Sequence, residues 1–164
     1  MNIIHLNQIW TYGWLKRLGD ISFSLIFLVI AFPLFVVLAF FVKLSSAGPI
    51  FYIQERVGLD YCRFGCIKFR TMFAESEDLL SNLLANSPSL RMEYERDFKL
   101  KKDPRITPIG KFLRRSSLDE LPQFFNILKG DMSLVGPRPI VSEEIPRYGE
   151  AMQDVVSIRP GLNG

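Results

Sequence analysis

Histidine and cysteine are nearly missing from this 164-residue chain, which holds one His, His5, and two Cys, Cys62 and Cys66. The two thiols stand four residues apart, with no second pair and no histidine near them. That excludes a Cys/His metal box of the usual spacing. Two close cysteines in a basic stretch read as free thiols. Internal repeats and low-complexity tracts are absent as well, which excludes repeat architectures. A strong net charge is also lacking, since 20 basic residues oppose 17 acidic ones. What the chain has in excess is apolar surface. Hydrophobic residues make up 48% of it, 14 of them Phe, and much of this excess falls in the first 45 positions. The length suffices for one domain with its own core.

Ile21 to Val42 is apolar apart from Ser22, Ser24 and Pro33. As a helix it would extend roughly 33 Å, enough to span a bilayer. A cleaved signal peptide fits poorly, because the apolar core is about twice the usual length and Lys43 interrupts the approach to Ser45-Ser46-Ala47. Two readings stay open. One is a plain spanning helix. The other is a segment that enters and leaves on one face. Pro33 at its middle removes a backbone hydrogen bond, and Lys16, Arg17 and Lys43 place basic residues at both ends. Trp10, Tyr12 and Trp14 precede the segment and suit an interfacial position.

Gly48-Pro49 marks the change to a globular part. Phe51 to Ile53 and Ile67 to Phe69 read as short strands joined by a turn over Gly58 to Gly65. Ala74 to Ala85 predicts a helix with an acidic start, Ser87-Pro88-Ser89 breaks it, and Leu90 to Leu100 predicts a second, charged helix. Thr107-Pro108 is a helix start, with Thr as cap and Pro in first position, opening Ile109 to Arg115. Ser117 to Lys129 predicts another helix, ended by Gly130. Its start is ambiguous. Ser117 and Glu120 have capping-box spacing, but Pro122 conflicts with that register, and a start at Asp119 resolves the conflict. Either start puts Asp119 and Glu120 at a helix N-terminus, where anions are favoured. Gly136-Pro137-Arg138-Pro139 is a stiff loop that would aim Arg138 in one direction.

Charge is spread unevenly. Seven basic residues between Lys99 and Arg115 (Lys99, Lys101, Lys102, Arg105, Lys111, Arg114, Arg115) face one acid, Asp103. Such a run is often a solvated face, but it also suits lipid head groups or nucleotide phosphates. The apolar segment upstream favours those two over nucleic acid. The adjacent carboxylates Asp119 and Glu120 could be no more than a capping feature. Beside so many cations they also suit chemistry on a phosphorylated substrate at a lipid surface, because carboxylates serve as nucleophiles or metal ligands.

The ordered series of motifs is more specific. It comprises Lys16-Arg-Leu-Gly-Asp20, Pro33, Gln54-Glu-Arg-Val-Gly58, Lys68-Phe-Arg-Thr-Met72, Asp103-Pro-Arg-Ile-Thr107 and Ser117-Leu-Asp-Glu-Leu-Pro-Gln123. It continues with Asn126-Ile-Leu-Lys-Gly-Asp-Met-Ser133, Gly136-Pro-Arg-Pro139 and Arg159-Pro-Gly161. In these the chain resembles the bacterial sugar transferase family, the monotopic polyprenyl-phosphate phosphoglycosyl transferases. The resemblance implies a mainly helical α+β fold. Residues 1–47 would form an interfacial segment and a re-entrant membrane helix-break-helix about Pro33. Residues 48–164 would form a small cytosolic catalytic domain with short strands.

The implied reaction moves a sugar 1-phosphate from a UDP-sugar to undecaprenyl phosphate, releases UMP and starts surface polysaccharide or glycoconjugate synthesis. By resemblance Asp119 is the nucleophile that forms a covalent phosphosugar intermediate, and Glu120 holds Mg²⁺. Lys68, Arg114 and Arg138 bind substrate. The implied location is the bacterial cytoplasmic membrane with the catalytic domain on its cytosolic face. Membrane lipids are implied as partners and nucleic acid is not, while homo-oligomerisation is left open. Readings from other classes are a non-catalytic membrane tether and a metal-dependent phosphohydrolase. The chain departs from the family at Phe32, where a Ser often precedes the proline. The family also continues past Arg159-Pro160-Gly161. The resulting expectation is that the domain over 48–164 is C-terminally incomplete, weakly active, and short of cover for Phe124, Phe125 and Leu128.

Overall fold

The computed structural model describes residues 3–97, 100 and 103–163, the side chains of 3–12, 96 and 97 excepted. The anchors expected at Trp10 and Tyr12, and Lys99, Lys101 and Lys102 of the basic run, lie outside what is described. The chain is mainly helical with small sheets, in agreement with the expected class. It divides into two compact units. One holds Met1–Phe35, Tyr52–Lys68 and Glu120–Gly164, and the other holds Val36–Phe51 and Phe69–Asp119.

The first helix, α1, runs over Ile3–Ser45 with Pro33 inside it. It is helical throughout, so no break interrupts the helix at Pro33, where one was expected. The boundary between the units nevertheless cuts α1 two residues after that proline, at Phe35. At 43 residues it is about 65 Å long, and Gly13–Ser45 is long and apolar enough to cross a membrane. Only 11% of its most apolar stretch is buried.

In the first unit, β1 (Phe51–Val57) and β2 (Arg63–Phe69) pair, each crossing into the second unit by one residue. Both are longer than expected. The turn is confined to 58–62, where Asp60 and Tyr61 take left-handed backbone angles. Gly65 therefore lies within β2, where a Cβ would meet Ile53 Cγ2 at 2.6 Å. Helix α5 (Gln123–Lys129) ends at Gly130, as expected, with φ +98°. Its Phe124 stacks on Phe27 of α1 at 4.1 Å between ring centroids. Phe124, Ile127, Met132 and Cys66 form a buried cluster, with Phe27, Leu28 and Leu162 against it. The expectation that Phe124 would lack cover is corrected here, since α1 supplies it. Phe125 stays 42% exposed.

Two three-residue strands that the sequence reading did not foresee, β3 (Ser133–Val135) and β4 (Gly161–Asn163), pair in parallel with Ser133 opposite Gly161. Between them lie the short helices α6 (Ile145–Tyr148) and α7 (Met152–Val156). Met152 and Val156 pack with Val57 and Ile140 in a second buried cluster. Gly136 and Gly161 touch backbone to backbone. A Cβ on Gly161 would come within 2.1 Å of Gly136 N, so neither position has room for a side chain.

The Lys16-to-Asp20 motif docks α1 on this framework. Arg17 Nη1 and Nη2 donate to the carbonyls of Ile127 and Leu128 at 2.6 and 3.1 Å. These carbonyls lie at the end of α5, where a cation is favoured, and that of Ile127 also accepts from Gly130 N at 3.1 Å. Asp20 accepts from Ser133 Oγ at 2.8 Å and from Leu134 N at 3.2 Å. Lys16 bonds Ser133 Oγ and Val135 O. Lys16 and Arg17, first read as flanking charges, thus carry tertiary contacts.

In the second unit, α2 (Ser76–Asn86) and α3 (Pro88–Asp97) form the acidic and charged helices expected there. The segment around Thr71 lies against Asp103–Thr107. Thr107 N donates to Thr71 O, Phe73 N donates to Arg105 O, and Met72 bridges Ile106. Helix α4 (Pro108–Ser116) starts as the sequence predicts, with the Thr107 hydroxyl accepting from Gly110 N at 3.0 Å. The left-handed Gly48, φ +114°, lies so close to Arg70 that a Cβ would meet Nη1 at 2.2 Å.

The helix expected over Ser117 to Lys129 does not form as one element. Ser117 takes a left-handed angle, φ 56°, and closes α4. Leu118–Glu120 is a single 3-10 turn, and α5 opens only at Gln123 after Pro122. Neither anticipated start is used. Proline has no N–H to give a preceding turn, and it is best placed at a helix entrance. Asp119 and Glu120 therefore occupy a turn before the helix and not its N-terminus.

Candidate active site

A cleft of about 220 Å³ in the first unit is lined by Arg56, Lys68, Glu120, Gln123 and Arg138, among others. Strand β2 presents Lys68 and buries Cys66 beside it. The 3-10 turn presents Glu120, and the stiff Gly136–Pro139 loop presents Arg138. Three of the expected site residues, Lys68, Glu120 and Arg138, thus meet in one cavity. Lys68 Nζ donates to Glu120 Oε1 at 2.6 Å. Glu120 Oε2 has no bond among the described residues, and Arg138 is exposed.

Asp119 and Arg114 belong to the second unit. Asp119 is 9% exposed and lies one residue before Glu120 in the same turn. Arg114, in the last turn of α4, donates from Nε to Thr71 Oγ1 at 2.9 Å.

Arg56 and Gln123 line the cleft but were not singled out as site residues in the sequence. Both stood inside quoted motifs, which was the only available signal. Arg56 is 8% exposed. It donates to Pro139 O at 3.0 Å and to Gln54 Oε1 at 2.7 Å, while its Nε is buried with no partner among the described residues. Burial pushes the Cys66 thiol upward, only partly offset by the Lys68 and Arg56 cations nearby, so it is held as a neutral thiol.

Three cations lining one cleft with a single carboxylate favour an anion carrying more than one negative charge, such as a phosphate ester. Among the described residues no three His, Cys, Asp or Glu side chains converge. A hard divalent ion would need further oxygens from a ligand. Mg²⁺ accepts that arrangement, binding through one or two carboxylates plus substrate phosphates. The unbonded Glu120 Oε2 fits such a role.

A larger groove of about 760 Å³ in the same unit is lined by Trp14, Lys16, Arg17, Asp20 and Arg159, among others. Its one carboxylate, Asp20, is spent on Ser133, Leu134 and Lys16, and Arg17 is spent on α5. The smaller cleft, with an accessible carboxylate oxygen, is the better candidate for chemistry.

Comparison with known proteins places the same segments in context. The model of the family described as bacterial sugar transferase matches residues 11–164. The chain is 52% identical over 151 residues to the undecaprenyl-phosphate galactose phosphotransferase of Salmonella typhimurium, covering 92% of this chain and 32% of that protein. It is 41% identical over 152 residues to the exopolysaccharide production protein ExoY of Sinorhizobium fredii, covering 93% and 67%. With the undecaprenyl-phosphate glucose phosphotransferase of Komagataeibacter xylinus it shares 38% identity over 157 residues, covering 91% and 26%. The chain therefore spans about a third of the length of the first of these relatives.

Proposed function

The chain belongs to the bacterial sugar transferase family, and on that premise we propose that it transfers a sugar 1-phosphate from a UDP-sugar to undecaprenyl phosphate. The observation that carries this reading is the cleft lined by Lys68, Arg56, Arg138 and Glu120, the last of these one residue after Asp119. The relatives' names supply the acceptor and a hexose, but they differ between galactose and glucose, so the sugar is left open.

In the proposed reaction an Asp119 carboxylate oxygen attacks the phosphorus that bears the sugar. The bond from that phosphorus to the bridging oxygen breaks, and UMP leaves with the bond's electron pair. The aspartyl phosphosugar is then attacked by a phosphate oxygen of undecaprenyl phosphate. That frees Asp119 and yields the lipid diphosphate sugar. Lys68, Arg56 and Arg138 hold phosphate oxygens and offset their charge as it shifts. Glu120, oriented by Lys68, would hold Mg²⁺ through its open oxygen, and the ion when bound would neutralise diphosphate charge. Arg114 is kept as a substrate contact.

Full-length protein mixed with UDP-sugar alone should release UMP and gain one phosphosugar in mass. Asp119→Asn should lower adduct formation by about a thousandfold or more, since an amide is no nucleophile for phosphorus. A normal adduct in that variant would remove Asp119 from the role. Free sugar phosphate in place of lipid product would favour a phosphohydrolase. Full turnover in excess chelator would remove Mg²⁺.

The proposed setting is the cytoplasmic membrane. Residues 1–47 form the membrane segment, re-entrant about Pro33, and 48–164 the cytosolic catalytic domain. The exposed apolar face of α1, with Ile26, Val29, Ile30 and Phe40 all at least 60% accessible, supports insertion. Cysteines placed at Asn7 and Ser46 should label from the same side of intact cells. Labelling from opposite sides would establish a spanning helix.

A further inference from the structure

Among the described residues two nearly buried arginines keep unmet donors, Arg56 and Arg70. Arg56 opens on the cleft. Arg70 lies in the second unit, 7% exposed, and has no part in the reaction above. Its Nη2 donates to Ser46 O at 2.7 Å. Its Nε and Nη1 are buried with no partner among the described residues, and so is the hydroxyl of Ser46. Gly48, left-handed, packs against Nη1, where any side chain would collide. Lys43 reaches the same turn from the end of α1. It donates to Gly48 O at 3.0 Å and stays exposed. Two cations and a spare hydroxyl therefore meet at residues 46–48, directly after the apolar helix.

Capping α1 accounts for part of this arrangement. A helix C-terminus carries about half a unit of negative charge, and Nη2 and Lys43 serve carbonyls there. The Nε and Nη1 donors and the Ser46 hydroxyl are left over. No carboxylate takes them. Arg105 has Asp103, whereas Glu75 acts on Arg70 only through space and is itself exposed. A buried guanidinium without a counter-ion is costly to hold, and arginine keeps its proton regardless. The missing partner is an anion, and the chain sets where it comes from. Gly13–Ser45 is long and apolar enough to cross a membrane, and basic side chains at the end of such a helix reach lipid head groups. Gly48 packs against both Nη1 and Ala74, and the two residues stand in surface turns, outside any helix or strand. A local shift of a turn is enough to admit phosphate oxygens to the guanidinium.

We propose that Arg70, Ser46 and Lys43 form a binding site for the phosphate group of a membrane lipid, at the point where α1 leaves the bilayer. The inference rests on the membrane placement of α1 proposed above and not on the transferase chemistry.

The test is a lipid titration of delipidated full-length protein in detergent, read by native mass spectrometry. The probes are phosphatidylglycerol, undecaprenyl phosphate and diacylglycerol, which has no phosphate. Wild type should retain one phosphate lipid and bind diacylglycerol at least about tenfold more weakly. Arg70→Gln should lose about tenfold or more in affinity for the phosphate lipid. Lys43→Gln, on the exposed rim, should lose about threefold. Tighter binding of phosphatidylglycerol would make this a site for bulk lipid, and tighter binding of undecaprenyl phosphate a site for the acceptor; either order supports a phosphate site. If Arg70→Gln does not accumulate as folded protein, Lys43→Gln and Ser46→Ala carry the test, since both keep the Arg70 bond to Ser46 O. Each should weaken retention of phosphate lipid and leave diacylglycerol unchanged. Unchanged phosphate-lipid affinity in every folded variant would reduce these residues to a helix cap and overturn the inference. Wild type that binds diacylglycerol as tightly as the phosphate lipids would overturn it too. Wild-type protein recovered in the soluble fraction without detergent would overturn the membrane placement itself, and this site with it.

Discussion

Lys68–Glu120 and Arg105–Asp103 are ion pairs of one length, 2.6 Å, in different units of the chain. Their surroundings differ. Arg105 and Asp103 are 11% and 6% exposed. Arg105 places Nε on both carboxylate oxygens, Nη2 on Oδ2 and its own backbone N–H on Oδ1. Both oxygens of Asp103 are therefore satisfied, and the turn it closes holds Thr107 in position to cap α4. Lys68 and Glu120 are 21% and 37% exposed, meet at one oxygen, and leave the other facing a cleft. The first pair is closed on itself and can only hold structure. The second keeps bonding capacity that a ligand can use. In sequence the two look alike, as acidic residues among basic ones.

Breaking the closed pair should have the largest effect on stability. Asp103→Asn leaves a nearly buried guanidinium short of its counter-charge and should cost about 3 kcal/mol. In a chain of this size that lowers the melting temperature by about 10 °C, read by thermal unfolding in detergent. Turnover of the folded fraction should stay within a few-fold of wild type. A change confined to turnover would put Asp103 in the site and erase the contrast.

Lys68→Met should do the reverse. Loss of the cation that orients Glu120 and meets phosphate should lower kcat/KM by about a hundredfold. A half-open pair contributes only about 0–1 kcal/mol to folding, so melting should barely move. A large melting shift with normal kinetics would make both pairs structural.

The pH dependence separates the pairs more finely. Burial raises the Asp103 carboxyl, but the hydrogen bonds and charge of Arg105, with Arg114 beyond, outweigh it and hold the group below its usual range. A depressed carboxylate contributes stability that is present above the unfolded value, about pH 4, and is lost as pH falls through the folded one. The stability gap between wild type and Asp103→Asn should therefore be constant at neutral pH and shrink below about pH 4. A gap that widens on acidification would contradict the assignment.

The smallest effect concerns the two thiols. Cys62 is exposed, whereas Cys66 is fully buried behind the cleft with its ionisation suppressed. At pH 8 a maleimide should label Cys62 and spare Cys66, read by peptide mass, with little change in turnover. Rapid labelling of Cys66 would show that the cleft wall opens.

Some of this was legible before folding because it is local. Thr107-Pro108 caps α4 through a hydroxyl oxygen that accepts from an N–H three residues on, Gly130 ends α5 by its own backbone freedom, and the apolar run of α1 is a matter of composition. The same local rules misplaced the start of α5. Capping-box spacing suggested Ser117, but Ser117 is drawn into a left-handed angle to finish α4. Strands β3 and β4 escaped notice because three residues are too few for a period, and their partner lies 28 positions away. Lys16 and Arg17 were read as membrane flanks because nothing nearby in sequence shows the carbonyls of α5 or the hydroxyl of Ser133.

The amino-acid sequence by itself determined the family, the apolar helix, and the presence of cations around the Asp119-Glu120 pair, because each is a property of residue type and order. Only the tertiary structure decided which of those charges stay available. Asp103 and Arg105 satisfy each other across two residues. Asp20 finds Ser133 across 113, and Asn126 finds β2 across about 60. Whether a buried polar group is paired depends on what packing brings to it, and that cannot be read from its neighbours along the chain.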